Sequence, residues 1–133
     1  MASQAIFDNE RVLTPIGYVW VPVVRVRLRH GGNALDLDMT VDSGADLTML
    51  PYQVGLNLGF RKGTSRMSRL SGIAGGAPYL LKKAGLEIAT IRLRRCVAWA
   101  QTDDVPILLG RCDVFDRPTI SFNGRERRVT FNG

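Results

Sequence analysis

The stretch that decides the fold is TVDSGADLTMLP, from Thr40 to Pro51. In the preceding LDLDM, apolar residues alternate with aspartate, and this period of two predicts a β-strand with its apolar side chains on one face. The residues of that face are Leu35, Leu37, Met39 and Val41. The strand ends at DSGA, whose residues favour a turn, and apolar residues resume at Leu47. A carboxylate, a hydroxyl and a glycine therefore interrupt a segment that otherwise has the pattern of a core.

Asp42 has two explanations at this stage. A carboxylate is costly to ionise in apolar surroundings, so its presence needs a reason. It either forms an Asx-turn with its own backbone, with Gly44 adopting a positive φ, or has a functional role. DSG alone is common and does not decide between them. An apolar strand, DSGA, Asp46 and a second apolar strand ending in Leu-Pro form a much narrower pattern.

Composition limits the class of protein. A chain of 133 residues with 45% hydrophobic and 23% charged residues is typical of one globular domain. No apolar run is long enough to cross a membrane, so no membrane segment is predicted. The N-terminal MASQAIFDNERV lacks a basic start followed by an apolar block, so we expect no secretory signal and a cytoplasmic location. Two cysteines and one histidine give no metal-site spacing, and we expect no metal and no cofactor.

The net charge of +6 raises the question of nucleic-acid binding. The basic residues alternate with apolar ones in VVRVRLR, at 23–29, and in IRLRR, at 91–95. This alternation favours the solvent face of strands, and no nucleic-acid-binding motif accompanies it. We therefore expect no nucleic-acid partner, and binding driven by the positive charge is the weakest hypothesis.

Short apolar stretches separated by glycine-containing turns predict an all-β fold. PYQVGLNLGF, at 51–60, is compatible with one helical turn with a proline at its start, and RCDVFDRP, at 111–118, predicts a short C-terminal helix. The predicted strands are 23–29, 35–41, 47–51, 66–71, 79–83, 86–93, 96–100, 105–110, 119–122 and 127–131.

These features resemble the retropepsin-like aspartic proteases, which are retroviral-type, single-domain and homodimeric. Their apolar strand followed by Asp-Thr/Ser-Gly-Ala and often aspartate matches DSGAD, at 42–46. Their late apolar strand ending in Gly-Arg before a short helix matches ILLGRCDVFDR, at 107–117. GIAGGAP occupies the place of their glycine-rich flap, so the resemblance covers about residues 19–131.

The resemblance implies a closed β-barrel or sandwich with one short C-terminal helix, acting as a C2 homodimer. Residues 18–133 would form the protease domain, and residues 1–17 an N-terminal extension of uncertain role. Because the chain has one DSGA, the second aspartate of the catalytic pair would come from a second copy. The substrate would be an extended peptide or protein.

The resemblance also assigns residues. Asp42 would be the catalytic carboxylate, Ser43 would lock the two active-site loops together, and Gly44 would let the substrate backbone approach closely. Asp46 would contact the substrate and pair with Arg111, which would tether the active-site loop. The remaining substrate-binding residues are Ala45 and the flap residues Gly72, Ile73, Ala74, Gly75 and Gly76.

Two functional classes remain open. The first is an aspartic endopeptidase that hydrolyses peptide bonds as a homodimer. The second is a non-catalytic peptide-binding or dimerisation module with the same fold, because a fold alone does not establish chemistry. The intact aspartate of DSGA favours the enzyme, since a binding module has no need of that carboxylate.

Overall fold

The computed structural model describes residues 4–63, 67–69, 77–112, 114–115 and 118–133. Within these ranges the chain is mostly β, with twelve strands and one helix. The elements in chain order are β1 (Gln4–Asp8), β2 (Glu10–Thr14), β3 (Gly17–Val21), β4 (Val23–His30), β5 (Asn33–Val41), β6 (Met49–Leu50), α1 (Tyr52–Asn57), β7 (Met67–Arg69), β8 (Pro78–Ile88), β9 (Ile91–Ala100), β10 (Leu108–Leu109), β11 (Thr119–Asn123) and β12 (Arg128–Asn132). No helix in the described part of the chain is long and apolar enough to span a membrane.

The main sheet has seven strands in the order β4-β5-β10-β6-β9-β8-β7. β4 also pairs with β8, with Leu28 opposite Leu86, so the first strand of this order meets the sixth. Alternation along β4 buries Val24, Val26 and Leu28 and exposes the arginines between them, because successive side chains point to opposite faces. Buried residues of β5, β8, β9 and β12 complete one apolar core.

The outer face of β4 and its neighbours carries the basic residues that the sequence placed in solvent. Each arginine of β4 faces a carboxylate on an adjacent strand. The ion pairs are Arg25–Asp38 at 3.1 Å, Arg27–Asp36 at 2.7 Å and Arg29–Glu87 at 2.8 Å. The hydrogen bond from Arg27 lowers the pKa of Asp36, and the one from Arg29 lowers the pKa of Glu87. These arginines therefore neutralise carboxylates of their own sheet.

The N-terminal residues form two further sheets. β1 pairs antiparallel with β12, which also pairs with β11, giving a three-stranded sheet in the order β1-β12-β11. β2 and β3 form a two-stranded sheet of their own, joined by a turn at Pro15–Ile16. Between the apolar runs of β2 and β3 the sequence has a threonine, a proline and a glycine, a pattern typical of a hairpin turn.

α1 begins after Pro51, whose φ of −61° suits the start of a helix. It lies against Trp99, whose indole Nε1 donates a 2.9 Å hydrogen bond to the Tyr52 carbonyl. A Cβ on Gly55 would lie 2.0 Å from that Nε1, so this approach requires glycine. The side chain of Asn33 donates to the Leu58 carbonyl at 3.1 Å, which places the end of α1 at the start of β5.

Some predicted strand bounds were wrong, and the predicted C-terminal helix is only partly described. The predicted strand 86–93 is divided by a turn at Ala89–Thr90, where Ala89 has a φ of 53°. The predicted strand 105–110 is reduced to Leu108–Leu109. In the predicted helix of 111–118, Cys112, Val114 and Phe115 lie in a turn, because the N–H groups of Val114 and Phe115 both donate to the Arg111 carbonyl. The remaining positions of that helix, at 113 and 116–117, lie outside the described residues.

Candidate active site

The DSGAD loop leaves the main sheet at the end of β5. β10 lies between β5 and β6, parallel to β5 and antiparallel to β6, with Leu109 beside Val41. The N–H of Asp42 donates to the Leu109 carbonyl at 3.0 Å, one step beyond the strand pairing. The position of Asp42 is therefore fixed by a strand from the far end of the sequence.

Residues 42–45 form a tight turn. The N–H of Ala45 donates to the Asp42 carbonyl at 3.2 Å, and the N–H of Gly44 donates to Asp42 Oδ1 at 2.8 Å. The second bond is the Asx-turn expected from the sequence, but the expected positive φ at Gly44 is wrong. A type I turn needs no left-handed residue. The glycine instead leaves room, because a Cβ there would lie 3.2 Å from Asp42 Oδ1.

Two polar groups of this turn are unused within the described part of the chain. Asp42 is half-buried, and its Oδ2 accepts no hydrogen bond there, whereas Oδ1 is held by Gly44. Ser43 is exposed, and its hydroxyl makes no hydrogen bond to the described residues. The loop thus presents one oriented carboxylate with a free oxygen, next to a free hydroxyl.

The second half of the loop is tied to the segment that follows β10. The N–H of Arg111 donates to the Ala45 carbonyl at 2.8 Å, and the N–H of Cys112 donates to the Asp46 carbonyl at 2.8 Å. The Arg111 guanidinium also pairs with the Asp46 carboxylate. These two side chains are 54% and 80% exposed, so the ion pair lies at the surface and the two backbone bonds are the inner connection.

Thr48 and Gly110 form a buried contact next to the loop. The sequence analysis assigned neither residue a role. Thr48 is 2% exposed, and its Oγ1 accepts a 3.1 Å hydrogen bond from the buried N–H of Gly110. A Cβ on Gly110 would lie 2.3 Å from the carbonyl carbon and oxygen of Leu47. The available signals were a threonine between two apolar residues and a glycine directly before Arg111.

The predicted flap is only partly described. β7 and the first residues of β8 pair antiparallel, with Met67 opposite Leu80 and Arg69 opposite Pro78. These are the two arms of the predicted hairpin. Gly72, Ile73, Ala74, Gly75 and Gly76, its predicted tip, lie outside the described residues.

A metal-dependent site has no candidate in the described ranges, where no three His, Cys, Asp or Glu side chains are grouped to hold an ion. The chemistry of this loop is instead that of a carboxylate next to backbone N–H groups and a hydroxyl. One carboxylate can accept a proton from water but cannot at the same time donate one to a carbonyl oxygen. A single chain therefore presents one such carboxylate in this loop.

Two solved structures share this architecture. A retropepsin-like aspartic protease from Rickettsia conorii is 16% identical, with 99% of this chain and 92% of that chain covered and a TM-score of 0.69. EIAV protease in complex with the inhibitor HBY-793 is 20% identical, with 71% of this chain and 85% of that chain covered and a TM-score of 0.54. No family model and no curated protein matches the chain. The structural likeness confirms the retropepsin-like fold that DSGAD and LLGR predicted.

Proposed function

With a retropepsin-like fold as the premise, we propose that the chain is an aspartic endopeptidase that works as a C2 homodimer. The observation that carries the proposal is the state of the DSGA turn. Every backbone contact that orients Asp42 comes from its own chain, while Oδ2 of Asp42 and the hydroxyl of Ser43 are unused in the described residues. A second copy would use both groups.

The dimer supplies the missing half of the acid–base pair. Two Asp42 carboxylates held close together do not both ionise readily, so they share one proton, as in other aspartic-protease dyads. The ionised carboxylate accepts a proton from water as the water oxygen attacks the peptide carbonyl carbon. The protonated carboxylate donates its proton to the carbonyl oxygen, and the resulting diol collapses with transfer of a proton to the leaving amine.

The neighbouring residues keep their predicted roles in this proposal. Ser43 hydroxyls would hydrogen-bond across the two-fold axis, and Gly44 and Ala45 would face the substrate backbone. Asp46 is exposed enough to reach an extended peptide while Arg111 restrains it. Residues 72–76 would close over the substrate, and residues 18–133 would form the protease domain.

The experiment is cleavage of an unstructured peptide library at mildly acidic pH over a range of protein concentrations. The natural chain is compared with Asp42→Asn and with Asp38→Asn, a control that makes the same change in an exposed ion pair on the strand that leads into the loop. We expect Asp42→Asn to lower the rate at least about 1,000-fold, because it removes the proton-accepting group, and Asp38→Asn to keep it. Specific activity should rise with protein concentration.

Mixing the natural chain with Asp42→Asn tests the shared site. If each dimer needs both carboxylates, an equal mixture that exchanges subunits retains about one quarter of its dimers as natural pairs. Activity per dimer should fall to that fraction. Activity that survives in pure Asp42→Asn contradicts the proposal. A folded dimer that binds peptides but cuts none in either form favours the non-catalytic binding module instead.

A further inference from the structure

The hairpin formed by β2 and β3 exposes apolar side chains that its own chain does not cover. Ile16 at its turn is 90% exposed and Leu13 is 67% exposed, and Val12, Tyr18 and Trp20 are exposed as well. The cross-strand register places Leu13 opposite Tyr18 and Arg11 opposite Trp20. Opposite and alternate residues share a face, so Leu13, Tyr18 and Trp20 lie together on one side of the ribbon.

A two-stranded ribbon with an exposed apolar face is marginal by itself. The described supports are at its root, where the Asn9 N–H donates to the Arg127 carbonyl at 2.7 Å and the Arg127 guanidinium lies 4.1 Å from the centre of the Trp20 ring. Further out, the Arg11 guanidinium lies 4.3 Å from the centre of the Tyr18 ring. Leu13 and Ile16 have no such cover and extend about 15 Å from the root, at about 3.3 Å per residue.

The other root of the hairpin is next to the catalytic turn. The carbonyl of Pro22, the residue that follows β3, accepts a 2.8 Å hydrogen bond from the N–H of Val41. Val41 directly precedes Asp42. The hairpin therefore leaves the body of the molecule beside the residue that must face its own copy across the two-fold axis.

We propose that the β2–β3 hairpin is an arm that packs its apolar face against the second copy of the chain. The proposal rests on the proposed function, because the two-fold axis is placed by the need to bring two Asp42 side chains together. Any such axis also brings two Pro22 carbonyls close to each other. An arm that starts beside the axis and is about 15 Å long reaches the partner's surface, where its exposed apolar side chains are removed from water.

A second copy explains these observations better than other occupants. Arg11 of the hairpin lies over the Tyr18 ring, and Arg127 from the turn after β11 lies over the Trp20 ring, so these two arginines do not form a free basic patch for an anionic surface. The apolar face is continuous with the region where the proposed dimer must already be in contact. Stable protein interfaces remove about 800 Å² from each partner, and a tight four-residue turn at 42–45 is too small to supply that area alone.

The test compares the natural chain with the double variant Leu13→Ser/Tyr18→Ser in sedimentation equilibrium. Leu56→Ser is the matched control, because Leu56 is 41% exposed on α1, whose end is bonded to the start of β5, far from Asp42. We expect the dimer dissociation constant to rise at least tenfold in the double variant and to stay within twofold in the control. At a protein concentration below both dimer dissociation constants, the urea midpoint of the double variant should match that of the natural chain, since both side chains are exposed in the monomer.

Photo-crosslinking locates the contact directly. With p-benzoylphenylalanine in place of Tyr18, illumination should give covalent dimers, and with the same group in place of Leu56 it should give none. An unchanged dissociation constant in the double variant, or no covalent dimer from position 18 in a chain that dimerises, overturns the arm. Binding of the hairpin to phosphatidylserine vesicles with unchanged dimerisation overturns it in favour of a lipid surface.

The proposed function and the arm fail in different ways. If the natural chain dimerises and cleaves peptides through Asp42, but the double variant dimerises and cleaves equally well, only the arm is lost. If Asp42→Asn cleaves as well as the natural chain, the proposed function is lost, and the arm loses the axis on which it was argued. If both hold, the double variant should regain full specific activity at high concentration, because its Asp42 loop is intact.

Discussion

The DSGAD loop and the N-terminal hairpin differ in how far contacts within their own chain stabilise them. Three backbone groups of the loop, the N–H of Asp42 and the carbonyls of Ala45 and Asp46, are paired with Leu109, Arg111 and Cys112 of the same chain. The hairpin contains apolar side chains, such as Leu13 and Ile16, that its own chain leaves in water. An unpaired buried polar group is costly, so it is usually paired within the chain. Exposed apolar surface can instead be buried when a partner binds. The loop is therefore held by backbone bonds within its own chain, whereas the hairpin keeps apolar side chains exposed.

The largest effect is expected from a change that breaks the loop. Gly110→Ala places a Cβ 2.3 Å from backbone atoms of Leu47, and backbone cannot rotate away as a side chain can. We expect it to lower the free energy of unfolding by about 3 kcal/mol, the upper range for overpacking. Urea unfolding of the natural chain and the variant measures this.

Gly32→Ala is the control for that change. Nothing lies within 4 Å of a Cβ at Gly32, and this glycine has no positive φ, so its effect should stay within about 0.5 kcal/mol. Equal losses of stability in the two variants would show that β10 does not pack against the loop as described.

An intermediate effect on stability is expected from a threonine-to-valine substitution, which can be made in both regions. Thr48→Val removes the buried oxygen that accepts the Gly110 N–H and should lower the free energy of unfolding by about 1–3 kcal/mol. Thr14→Val removes a hydroxyl that donates to the Gly17 carbonyl at 2.7 Å in the half-buried turn of the hairpin. Water can replace that partner, so the loss should be below about 1 kcal/mol. Thermal or urea unfolding of both variants compares them, and a reversed order would contradict the contrast between loop and hairpin.

The smallest effect is expected on the stability at low pH, and it concerns a third region, the outer face of β4. The pKa of Asp36 is lowered by its hydrogen bond to Arg27. A carboxyl whose folded pKa lies below its unfolded value of about 3.9 stabilises the fold above that value and loses this contribution as the pH falls through the folded pKa. Asp36→Asn should therefore flatten the fall in stability that the natural chain shows as the pH drops below about 4.

The measurement for this prediction is the urea midpoint as a function of pH. Asp104→Asn serves as control, because Asp104 is exposed and has no ion pair in the described part of the chain. The effect is small because the Arg27–Asp36 pair is exposed to solvent and screened. If the pH profile of Asp36→Asn coincides with that of the control, the Arg27–Asp36 ion pair does not contribute to the pH dependence of stability.

Local patterns predicted much of the fold from sequence. The alternation in VVRVRLR and the HGGN turn gave the β4–β5 hairpin nearly to its ends, because a period of two and a short glycine turn are local properties. Pro51 marked the start of α1 for the same reason. The sequence prediction failed at Ala89, where a non-glycine residue with positive φ turns the chain. The apolar alternation changes phase there, because Ile88 and Ile91 are three residues apart, but the prediction took 86–93 as one strand.

The sequence located the DSGAD turn but not the contacts that support it. DSGAD located the turn, and the pairing of Asp46 with Arg111 is present in the structure. The contacts of Thr48 with Gly110 join positions 62 residues apart, and no local pattern encodes such a pair. β1 also gave no sign that it would pair with β12, because strand partners far apart in sequence are chosen by tertiary packing.

The placement of β10 between β5 and β6 has a consequence for the life of the chain before it is complete. Until Leu108–Leu109 has been synthesised and has entered the sheet, Asp42 has no acceptor for its N–H and the turn has nothing to hold it. Pairings of such long sequence separation form slowly, since a long loop must close first. Under the proposed function, the Asp42 turn would be complete only once β10 has entered the sheet, so a nascent or partly folded copy would not cleave peptides.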